Sequence, residues 1–220
     1  MEIKYIGHSS FQIKTKMARI ITDPYDPKMV GMAYPKVEAD IVTLSHEHPD
    51  HNYREGIKSE GALMLDWPGE YEKQEVRVYG FQTYHDKDQG AERGENVMFK
   101  FETEDMSVLH CGDLGHQLTQ ELIEQIGEID ILILPVGGFY TINAEEAAKV
   151  VREIEPTIVI PMHYNHGGLD PKTFEQLQPL ETFLKEMSAE NVEPLDKFVV
   201  KKDDLTNADM KVVTLKITNS

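Results

Sequence analysis

Residues 45–52 read Ser-His-Glu-His-Pro-Asp-His-Asn, which puts three imidazoles and a carboxylate within six residues, at His46, His48, Asp50 and His51. With nine histidines in 220 residues, chance clustering of this kind is rare. Neutral imidazole and carboxylate together suit divalent zinc foremost, with manganese, iron and nickel as alternatives. Side chains alternate with period two in an extended segment, so His46 and His48 point the same way and can share one ion. A turn at Pro49-Asp50 then lets Asp50 and His51 face a second ion. The chemistry expected of two such ions is water activation, followed by attack on a carbonyl or phosphorus whose developing charge they stabilise. Asp50 has a second task in this scheme, accepting a hydrogen bond from the attacking water. No serine or cysteine nucleophile is needed.

Such a cluster must be held by rigid elements. Apolar runs bounded by turn residues predict strands at 2–6, 10–14, 18–22, 40–45, 75–83, 96–102, 106–110, 129–134 and 157–161. Four of them deliver a polar residue just past their C-terminal ends: Asp23, His46, Asp113 and His163. A helix is predicted over 143–155, with Asn143 as N-cap, Glu145 and Glu146 in the first turn and Pro156 as its stop. Further helices are expected over 117–126 and roughly 173–187. Strands mixed with crossover helices read as a layered α/β fold.

On these residues the chain resembles the metallo-β-lactamase superfamily. The HxHxDH signature is followed in order by His85 in Thr-Tyr-His-Asp, Asp113 in Cys-Gly-Asp-Leu-Gly-His and His163 in Pro-Met-His-Tyr. The segments GHSSF (7–11), TDPY (22–25), PGEY (68–71) and PVGGFYTI (135–142) are similar to a small bacterial branch near the ascorbate-phosphate lactonase-like proteins. The resemblance implies one domain over residues 1–220, a four-layer αββα sandwich with two metal ions between its sheets. It also implies a ligand set of His46, His48 and His85 for one ion, Asp50, His51 and His163 for the other, and Asp113 bridging both. Histidine at position 48, where the flavodiiron reductases carry glutamate, points to hydrolysis rather than redox chemistry.

Around this set, Asp23 is expected to orient a metal-bound histidine or else to start a turn before Pro24. His8 is expected behind the ligands or on the substrate side. Tyr164 and His166 are candidates to protonate a leaving group. His116 is expected to open the helix at 117. His110 and Cys111 read as buried structural residues. Trp67–Tyr71 either walls the site or turns into the next strand. Residues 85–96 read as a solvated connection or as a substrate loop, with Lys87 and Arg93 as its cations.

The balance of 22 basic and 39 acidic residues, net −17, argues against a broad nucleic-acid surface. Nuclease, cyclic-nucleotide phosphodiesterase and non-catalytic metal binding are the competing readings. A small-molecule substrate is the expected partner, with homo-oligomers left open. One cysteine allows no internal disulfide. The N-terminal residues contain no run of signal-peptide character, and no apolar stretch reaches membrane-spanning length, so a cytoplasmic, non-membrane protein is expected.

Overall fold

Runs dense in Ile, Val, Leu and Phe form the strands, because β-branched and aromatic side chains pack well on a pleated surface. The computed structural model describes residues 1–218. The first half of the chain makes β1 (Glu2–Gly7), β2 (Ser10–Lys14), β3 (Arg19–Thr22), β4 (Ile41–Thr43) and β5 (Leu63–Leu65). Then follow β6 (Gly69–Lys73), β7 (Val76–Tyr84), β8 (Glu95–Thr103), β9 (Met106–His110), β10 (Ile131–Pro135) and β11 (Ile158–Met162). Two-residue strands β12 (Phe198–Val199) and β13 (Lys211–Val212) close the edges. One sheet runs β12-β1-β2-β3-β4-β5 and the other β13-β11-β10-β9-β8-β7-β6.

A single apolar cluster takes Ile3, Phe11, Ile13, Ile20 and Ile41 from the first sheet and Val78, Phe99, Phe101, Leu109 and Ile133 from the second, so the sheets share a core. Neighbouring residues on one strand face opposite ways. Ile21 and Val42, next to Ile20 and Ile41, accordingly belong to a second cluster, with Val30, Leu169 and Phe174. That cluster lies under the short helices α1 (Pro27–Val30) and α4 (Pro171–Phe174). On the other flank are α2 (Gln120–Ile126), α5 (Leu180–Glu186) and α3 (Ala144–Ile154), the last burying Ala147, Val150, Val151 and Ile154. Short α6 (Lys202–Leu205) completes the set. The layers are helices, sheet, sheet, helices, as expected. No helix among the described residues is long and apolar enough to cross a membrane.

Asn143 caps α3 through a reciprocal pair: Glu146 N donates to Asn143 Oδ1 at 3.0 Å, and Asn143 N donates to Glu146 Oε2 at 3.1 Å. The helix expected from 117 starts only at Gln120, behind the Thr119 cap. The segment 173–187 is two helices rather than one. Gln178 N donates to Gly137 O at 2.7 Å, and Pro179 lacks the N–H that a continuous helix would use. Strand β6 was not expected; its exposed glutamates hide the pairing of Gly69–Lys73 with β7.

Candidate metal centre

The C-terminal ends of β3, β4, β7, β9 and β11 and the turn after β1 open onto one rim between the sheets. They deliver Asp23, the 46–51 loop, His85, Asp113, His163 and His8 to it. Three glycines make this convergence possible, two by close approach to backbone and one to side chains. A Cβ on Gly115 would stand 2.2 Å from the His85 carbonyl carbon, one on Gly137 2.1 Å from His163 O, and one on Gly112 2.4 Å from Asn96 Oδ1.

Asp113 Oδ2 is the geometric hub. It lies 3.1 Å from His85 Nε2 and 3.2 Å from both His51 Nε2 and His163 Nε2. His46, His48 and His85 bring ligand atoms within 4.8 Å of one another. His8, Asp50, His51 and His163 do the same, as do His46, His51 and Asp113. His8, Asp50, His51, His85, Asp113 and His163 are buried, His46 is partly buried, and His48 is the most exposed of the set.

A polar layer behind the cluster fixes ring orientation. Asp23 Oδ2 accepts from His51 Nδ1 at 2.9 Å and from Ser45 Oγ at 2.6 Å, while Ser45 N donates to Asp23 Oδ1 at 2.8 Å. The Ser45 hydroxyl has one proton and gives it to Asp23, so its 2.9 Å contact with His46 Nδ1 makes that nitrogen the donor. His46 Nε2 then presents a lone pair to the cluster. His8 Nε2 donates to Asp50 Oδ2 at 3.1 Å. Asn96 Oδ1 accepts from Asp113 N at 2.8 Å, and its amide donates to Thr83 Oγ1 and Cys111 O.

Three of these residues sit in the left-handed region: His8 (φ 55°), Asp23 (φ 37°) and His163 (φ 51°). For residues with a Cβ this costs roughly 1 kcal/mol or more each. His163 N and Tyr5 Oη both donate to His8 O, at 3.0 and 2.7 Å, and Asp23 N donates to Thr43 O. The surrounding structure thus holds the strained backbone where the side chains converge.

Burial alone would push Asp23, Asp50 and Asp113 up. Neighbouring imidazoles and hydrogen bonds outweigh it and hold all three below the ordinary carboxylate range. Burial and His51 drive His46 well down, and burial with His163 lowers His8 to about 4. His51 goes the other way: burial opposes its charge, but Asp113, Asp50 and the bond to Asp23 win. Three buried negative charges against one favoured imidazolium leave a deficit that suits cations. His46 Nε2, His51 Nε2, His163 Nε2, His163 Nδ1 and Asp113 Oδ1 are buried without hydrogen-bond partners. Buried polar atoms without partners are unfavourable, and the three Nε2 atoms and Asp113 Oδ1 gain a partner if a cation lies among them. The donor chemistry therefore fits divalent metal.

Above the cluster is a cavity of about 280 Å3. His48, Asp50, His85, Asp113 and His163 form its floor, and Met29, Pro49, Tyr140, Thr173, Phe174 and Arg93 its walls.

The family model described as "Beta-lactamase superfamily domain" matches residues 2–163. The UPF0173 metal-dependent hydrolase of Staphylothermus marinus is 31% identical, with 80% of this chain and 90% of that one aligned. The chain belongs to the metal-dependent hydrolases of the β-lactamase superfamily. A superfamily structure from Thermotoga maritima, described as a Zn-dependent hydrolase, matches with TM-score 0.79 and 34% identity over 98% of this chain and 99% of that one. The metallo hydrolase Igni18 of Ignicoccus hospitalis shares the fold at TM-score 0.64 and 21% identity, over 91% and 99%.

In this superfamily member, the structure does not bring every expected residue to the cavity. Tyr164 is buried with its ring near Tyr5 and His166, and His166 Nδ1 accepts from Gly168 N at 3.2 Å; neither side chain lines the cavity. His116 does not face it either. Tyr84 N donates to its Nε2 and its Nδ1 donates to Gln117 O. His110 ties the sheets together, donating from Nε2 to Ser9 O at 2.9 Å. Cys111 is fully buried, and burial pushes its thiol well up, so it packs rather than reacts. Ser45 and Asn96 were missed by sequence reasoning. The Asp-Pro and Gly-Asp motifs beside their partners mark the loops but do not say which neutral side chain braces them.

Proposed function

We propose that this hydrolase binds two divalent ions, zinc foremost, and uses them to hydrolyse a small ester, lactone or phosphate-ester substrate. The observation that carries this reading is the place of Asp113. Its Oδ2 stands within 3.2 Å of His85 on one side and of His51 and His163 on the other, between two sets of donors. His46, His48 and His85 would hold one ion, Asp50, His51 and His163 the other, with Asp113 shared. Ions bound there supply Lewis acidity, which lowers the pKa of water and neutralises charge developing on the attacked group.

The chain's own groups do the rest. His8 donates to Asp50 Oδ2, which leaves Asp50 Oδ1 to accept a hydrogen bond from the attacking water. Tyr164 and His166 lie off the cavity, so Asp50 is the group placed to take the proton and return it to the leaving group. Met29, Pro49, Tyr140 and Phe174 exclude water from the substrate's apolar part.

The cavity's size and the acidic residues beside it favour a small molecule over nucleic acid. Glu47, Asp66 and Glu95 line the recess on the His46 side, and Asp88, Glu92 and Glu146 the recess on the Asn143 side. The test is metal analysis followed by a screen of chromogenic phosphodiesters, phosphomonoesters, lactones and thioesters, with Asp50→Asn as control. Metal-dependent turnover lost in the variant is expected. Turnover that survives Asp50→Asn at full metal content would overturn the scheme.

A further inference from the structure

We propose that Arg93 binds a carboxylate on the substrate, so that this hydrolase acts on small esters carrying one carboxylate away from the scissile bond; this rests on the hydrolytic reading above.

Arg93 is the one cationic residue among those lining the cavity over the cluster, and it also lines the recess on either side. Among the described residues its guanidinium has one polar partner, the exposed carboxylate of Glu92 at 3.4 Å. A solvent-exposed pair of that length is weak, so the planar fork of N–H donors is available to a ligand. Lys87, the other cation nearby, is already engaged by Glu146.

The backbone beneath Arg93 is fixed in advance. Asp86, the residue after His85, is buried and accepts four amides: Asp88 N and Gly90 N at Oδ1 (2.8 and 2.9 Å), and Glu92 N and Arg93 N at Oδ2 (3.0 and 2.7 Å). His85 N donates to Gly94 O at 3.0 Å. The guanidinium's base is thereby locked to the backbone of a candidate metal ligand, the pre-organisation that lets one charge select a substrate.

Charge and shape narrow the ligand. A single guanidinium matches a carboxylate by two parallel N–H···O bonds. A phosphate dianion would place a second charge among Glu47, Glu92, Glu95 and Asp88, where the other cation, Lys87, is already paired with Glu146. Met29, Pro49 and Phe174 accept an apolar linker between the carboxylate and the reacting carbonyl.

The test uses two ligands of the same shape that resist hydrolysis, N-phenylsuccinamic acid and its neutral amide N-phenylsuccinamide. Each is titrated calorimetrically into zinc-loaded wild type, Arg93→Gln and Arg93→Lys, with metal content and circular dichroism checked for each variant. The acid is expected to bind wild type about tenfold or more tighter than the amide. That preference should vanish in Arg93→Gln and return in part in Arg93→Lys. A preference that survives in Arg93→Gln, no preference or no binding in wild type, or tighter binding of the matching phosphonate would overturn the proposal. Because nothing is turned over, these outcomes are separate from the hydrolysis screen, which alone decides whether the site is hydrolytic.

Discussion

Asp23 Oδ2 accepts from His51 Nδ1 at 2.9 Å and, through Ser45, sets the tautomer of His46. One buried carboxylate thus aims two imidazoles at the same space, one from each side of the cluster. Asp23→Ala removes both constraints. The expected result is a roughly 10–100-fold loss of metal affinity with the fold retained. Competition with a chromophoric chelator measures it, and unchanged affinity would mean that Asp23 only terminates β3.

Tyr164 and His166 provide a contrasting pair. Losing a general acid costs roughly 10²–10⁴-fold in rate. Since neither side chain lines the cavity, Tyr164→Phe and His166→Ala are expected to leave kcat far closer to wild type than that. A loss in this range for either variant would restore it as the leaving-group acid.

Gly115 and Gly137 show how tightly the ligand loops are packed. A methyl group at either position would sit closer than 2.5 Å to backbone of His85 or His163. Alanine at either site should destabilise the protein by about 1–3 kcal/mol or more, because backbone cannot swing aside as a flexible side chain can. Urea unfolding at fixed metal concentration reads this directly. A wild-type midpoint would show that the loops give way freely.

Asp86 is expected to govern the loop that carries Arg93. Asp86→Ala deprives four amides of their shared acceptor, so exchange at residues 88–93 should quicken while the strand cores stay protected. Hydrogen exchange with residue resolution tests this. Unchanged protection would mean that the backbone bond from Gly94 N to Gly90 O, 2.9 Å long, suffices alone.

Much of this was legible in the sequence because strands and ligands follow local rules. The runs 129–134 and 157–161 read as buried strands, and the second ends just before His163. The helix from Asn143 was written in its cap and its stop. What was hidden depended on distant packing. Residues 85–96 read as a solvated connection, because nothing local says that Asp86 will be buried under four amides. Helix 173–187 looked continuous until Gln178 was found paired with Gly137 across the rim. Tyr164 and His166 sat beside a ligand in sequence, but the chain turns at His163 and takes both side chains away from the cavity.

The central claim is that Asp113 stands between two metal ions. Its most direct test is the metal-to-protein ratio after saturation with zinc and desalting, measured by plasma mass spectrometry on wild type and Asp113→Ala. The account predicts two ions per chain in wild type and fewer in the variant. One ion per chain in both proteins, with hydrolysis intact, would contradict it.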